Sequence, residues 1–75
     1  MELFYRILST APLSDSTSQV IVEVKPGAPI NGFHGEVIQF EAPNATLKEM
    51  VIERARWKMK TETRIDVEPK HVRPY

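Results

Sequence analysis

Serines, two histidines and several acids are the only side chains here that could form a hydrolytic trio, and no spacing joins them. Neither Ser16 nor Ser18 sits in a G-x-S-x-G elbow, and no glycine-rich loop follows a strand and opens a helix to cradle a phosphate. His34 and Glu36, two apart, share one face of an extended segment, and His71 lies near Asp66 and Glu68. A metal centre needs three or four converging ligands, and there is no cysteine and no H-x-x-x-H pair. The sequence therefore predicts no catalytic residue, no metal site and no cofactor.

The chemistry that remains is charge. Eight of the ten basic residues fall in residues 48–75: Lys48, Arg54, Arg56, Lys58, Lys60, Arg64, Lys70 and Arg73. Five of the ten acids precede residue 48 and five follow it, so the two parts carry −3 and +3 and the chain is neutral. The only tryptophan, Trp57, stands seven residues from Met50 and three from Arg54, which places the three along one edge of a helix. Trp, Arg and Met are enriched at interfaces. Met50, Arg54, Arg56, Trp57, Lys58, Lys60 and Arg64 are the candidate binding surface. The competing reading is that Trp57 caps the core with Arg54 lying over it. Phe33 and His34, in a loop rich in glycine and proline, are a second candidate contact, unless Phe33 folds under to seal the core.

These residues must be positioned by a small fold. Seventy-five residues allow one domain with one core, and a domain of that size buries only about 60% of the surface its unfolded chain exposes. No disulfide can reinforce it. Leu3–Leu8, Val20–Val24 and Glu36–Glu41 read as strands from their β-branched and aromatic content and alternation. Ser9–Gln19 reads as a mobile polar loop, and residues 25–35 as the elaborated tip of an antiparallel hairpin carrying Asn31-Gly32.

Thr46 with Glu49 three residues later has the form of a capping box. Leu47, Met50, Val51, Ala55 and Met59 then follow helical spacing, predicting a helix from Leu47 to about Lys58. After a short connection at residues 60–62, Arg64–Glu68 alternates strictly and predicts a fourth strand, with residues 70–75 as a tail. The expected fold class is α+β, a single-layer β-β-β-α-β domain over residues 1–75. One amphipathic helix packs on three or four mainly antiparallel strands.

The segment from Phe40 to Val67 resembles in outline the small inhibitor of bacterial RNA polymerase made by T7-like phages. The shared residues are Thr46-Leu47, Glu49, Ala55 and Trp57, with a basic strand following. They cover less than half the chain and would recur in any capped helix between strands, so no functional residue is transferred.

The reading that results is a non-enzymatic, cytoplasmic adaptor or inhibitor that binds a protein with an acidic surface. No run of about 20 apolar residues is present to cross a membrane. One alternative is a nucleic-acid-binding accessory protein using the same bases on phosphates. Another is a self-assembling structural subunit or homodimer.

Overall fold

A computed structural model describes all of residues 1–75. The chain forms a four-stranded mixed sheet with one helix packed on it, an α+β architecture. Strands β1 (Leu3–Pro12), β2 (Thr17–Pro26) and β3 (Glu36–Pro43) form an antiparallel meander, and β4 (Val72–Pro74) adds in parallel beside Leu3–Tyr5 of β1. The spatial order is β3-β2-β1-β4. Helix α1 (Leu47–Thr63) crosses one face.

The core follows from strand alternation. Ser18, Val20, Val22 and Val24 of the inner strand β2 are buried, and Leu3, Tyr5, Phe40 and Ala42 line the same face beside them. Helix residues Val51, Ala55 and Met59, four apart and fully buried, close that layer. Val67 and Val72 complete it on the β1 side.

Four expectations are corrected. Ser9–Gln19 is not a loop: β1 and β2 run through it, joined by a turn of residues 13–16. There the Thr17 carbonyl accepts from the Leu13 and Ser14 amides, and the Ser14 hydroxyl accepts from the Ser16 and Thr17 amides. The helix continues past Lys58 to Thr63, whose hydroxyl donates to the Met59 carbonyl at 2.7 Å. Arg64, at φ 65°, ends it in the left-handed conformation with its amide on the Lys60 carbonyl.

Arg64–Glu68 is not a strand. Ile65 and Val67 do turn inward, yet no strand lies beside them, and the fourth strand comes from the segment read as a tail. The capping box does not form either. Thr46 closes a 3₁₀ turn (Asn44–Thr46), and its side chain caps nothing. The chain is anchored at this point by Asn44, whose side-chain oxygen accepts from the Ser18 hydroxyl at 2.6 Å and whose backbone N–H donates to the Ser16 carbonyl at 2.8 Å.

The tip of residues 25–35 contains its own tight turn. Ile30 and Phe33 exchange both backbone hydrogen bonds across Asn31 and Gly32, which have φ of 49° and 81°, the geometry that favours Asn-Gly. This turn folds Phe33 under, so the loop's aromatic belongs to the core. His34 remains exposed.

Candidate functional site

Every fourth residue of α1 from Val51 to Thr63 faces the sheet, and at 100° per residue the opposite pole falls on Trp57. Its side chain is 55% exposed, so Trp57 does not cap the core. The Arg54 guanidinium lies 5.9 Å from its ring centroid and 5.3 Å from that of Phe40, bridging the helix surface to strand β3. Met50, one turn earlier on the same side, is half-buried against the core cluster.

The basic cluster divides into two sets. Arg56 and Lys58 are structural. The Arg56 Nε donates to the Val67 carbonyl at 2.6 Å, while its other nitrogens reach Glu53 at 2.9 Å and Asp66 at 3.3 Å. Lys58 sits between Glu36 of β3 and Glu62, the latter at 3.0 Å, with only 15% of its side chain exposed. A base buried to that extent requires paired acids. Arg56 and Lys58, two members of the candidate binding surface, are therefore neutralised within the fold.

Lys48, Arg54, Lys60 and Arg64 have no acidic partner. Arg54, Trp57 and Lys60 follow one another at three-residue intervals, and Arg64 stands at the helix end, four residues beyond Lys60. The surface beside the indole is a shallow depression lined by Glu53, Arg56, Trp57, Lys60 and Asp66. Both of its acids already pair with Arg56. The site is thus an exposed aromatic ring flanked by unpaired cations on a rigid helix.

The other candidates do not join it. Phe33 is buried, and His34 lies in a separate polar depression with Glu36 and Glu62. Nowhere do three or more His, Asp or Glu side chains gather closely enough to hold a metal ion. His71 Nδ1 is 3.3 Å from Glu2 Oε1, and Arg73 Nε is 3.1 Å from Glu2 Oε2. The second contact lacks hydrogen-bond alignment, so it is ionic. This network, absent from the sequence reading, ties β4 to the start of the chain. No helix is long and apolar enough to cross a membrane.

Compared with family models, curated proteins and solved structures, the chain matches none. The outline shared with the phage polymerase inhibitor also loses its last part, since the segment after the helix is not a strand.

Proposed function

We propose that this protein is a non-enzymatic, cytoplasmic protein-binding module, an adaptor or inhibitor, that docks the outer face of α1 on a partner with an acidic surface. The observation that carries this reading is Trp57, more than half exposed at the helix pole between two bases without acids of their own. Exposing an indole forgoes the burial that a small core most needs, and large aromatics with arginine dominate binding energy at interfaces. Arg54 and Trp57 act as the anchor. Lys60 and Arg64 meet partner carboxylates, and Arg56 and Lys58 hold the scaffold.

An indole flanked by bases is also a stacking platform for single-stranded nucleic acid. One experiment separates the two. The purified protein is titrated with an acidic, aromatic-containing peptide and with single-stranded oligonucleotides of mixed sequence, and the fluorescence of the lone tryptophan is followed at rising salt. A peptide response that survives moderate salt and disappears in Lys60→Glu supports the reading. An oligonucleotide response with a steep logarithmic salt slope and no peptide response replaces it with the nucleic-acid one.

A further inference from the structure

Besides its buried stripe, α1 carries a second one that faces solvent. Glu49, Glu53, Trp57 and Lys60 fall within an arc of about 80° at 100° per residue, and Arg64 follows Lys60 by four at the cap. All five are exposed. Along the chain the stripe runs acid, acid, indole, base, base. Both of its four-residue charge pairs, Glu49 with Glu53 and Lys60 with Arg64, are like-charged and repel. Glu49, Lys60 and Arg64 make no ion pair, and Glu53, which gives one oxygen to Arg56, keeps 59% of its side chain exposed. The helix dipole does not account for this order. It favours acids in the first turn and bases in the last, yet off the stripe Lys48 stands in the first turn and Glu62 in the last.

The order of charges identifies the occupant. A surface that relieves both repulsions must present bases opposite Glu49 and Glu53 and acids opposite Lys60 and Arg64. The same stripe run in the antiparallel sense does this: Glu49 meets Arg64 of a second copy, and Glu53 meets Lys60. Both pairs share one midpoint, between Arg56 and Trp57. A single two-fold axis therefore satisfies all four contacts and brings the two indoles together beside it. A parallel pairing would set acids on acids and bases on bases. The contact is isologous, the form that closes a dimer without leaving a free copy of the surface.

We infer that the free protein forms a weak homodimer, in which two α1 helices pack antiparallel along the stripe from Glu49 to Arg64 and each covers the other's Trp57. The inference rests on the reading of this face as a contact surface. It names the occupant in the absence of another partner: the carboxylates that Lys60 and Arg64 meet are Glu53 and Glu49 of the second copy, and any other partner must displace them. One helix face is a small interface, so the dimer should dissociate at roughly 100 µM and weaken as salt screens its charge pairs.

The test is sedimentation velocity of the purified chain from micromolar to millimolar concentration at low salt, with tryptophan emission followed alongside. The wild type should pass from the 8.6 kDa monomer to a dimer as concentration rises, and its emission should move to shorter wavelength as the indoles cover each other. Glu49→Arg and Arg64→Glu should each stay monomeric with an unchanged circular dichroism spectrum. Mixed in equal amounts they should dimerise again, because each supplies the charge that the other now lacks. Lys48→Glu, off the stripe, should dimerise as the wild type does. A wild type monomeric up to millimolar concentration overturns the inference, while the peptide titration still judges the contact surface on its own. A dimer of full strength in both single variants overturns it too, as do two monomeric variants that recover no dimer on mixing, or a dimer lost with Lys48→Glu.

Discussion

Arg56 on the helix donates from its Nε to the carbonyl of Val67, eleven residues later, and so fastens the segment after α1 to the helix flank. That segment has no strand beside it to satisfy its backbone, and Arg56 supplies one missing donor while the carboxylates of Glu53 and Asp66 hold its fork. Arg56→Ala should therefore destabilise the fold by about 1.5–3 kcal/mol, the range for hydrogen bonds to a charged group. Arg56→Lys should recover only part, since an ammonium cannot span all three acceptors. Urea midpoints at unchanged m-value would show this. A loss within about 0.5 kcal/mol, as for an ordinary surface site, would mean the segment is held by Val67 packing alone.

The start of α1 gives a second pair of outcomes. Spacing alone assigns Thr46 the cap, with a loss of about 1 kcal/mol on removal. Its side chain makes no cap bond, so Thr46→Ala should change stability by less than about 0.5 kcal/mol. Asn44→Ala strands the buried Ser18 hydroxyl, which donates to it, and should cost about 1–3 kcal/mol. Thermal melts of the two variants reverse this ranking if the capping box forms in solution.

These two sites show what the sequence could disclose. Local periodicity made β2, β3 and the buried stripe of α1 legible, because alternation and four-residue spacing record which way each side chain turns. It also gave the inward turn of Ile65 and Val67. It could not supply partners. Ser9 and Thr10 are polar and exposed, yet they lie in a strand because Ile21 and Val20 of β2 pair with them. Val72–Pro74 is a strand only because Leu3–Tyr5 lies alongside. Residues 60–62 looked like a connection because they are the solvent side of a last turn whose inward residues are Met59 and Thr63. At the site, the type and spacing of Trp57, Arg54 and Lys60 were visible. The pairing that removes Arg56 and Lys58 depends on Val67, Asp66, Glu36 and Glu62, which only the fold brings near.

Trp57→Ala should be close to neutral for stability, within about 0.5 kcal/mol, because the ring is exposed and Arg54 retains Phe40. The same change should abolish partner capture, a loss of 2 kcal/mol or more at a hot spot, roughly thirtyfold or greater in Kd. Chemical denaturation and a binding isotherm on the same preparation measure both. A variant that melts markedly lower would return the indole to the core and remove it from the interface.

Tyr75 supplies a titration. Its hydroxyl donates to the Glu23 carboxylate, its ring lies edge-on to Phe4, and the Arg6 guanidinium sits 5.4 Å from the ring centroid. The hydrogen bond to Glu23, followed by desolvation and the carboxylate's charge, raises its pKa above the ordinary 10.0, with Arg6 opposing. The folded state thus retains the phenolic proton longer than the unfolded chain. Whatever stability the contact lends is whole below pH 10 and is lost as pH rises through the elevated pKa. The difference in tyrosinate absorbance between wild type and Tyr75→Phe isolates this residue, and its midpoint should lie above 10.0. Glu23→Ala should bring the midpoint down, because it removes the acceptor and leaves Arg6. A midpoint unmoved by Glu23→Ala would mean that the phenol does not hold the carboxylate in solution and that β4 is secured by the Glu2 pairs with His71 and Arg73.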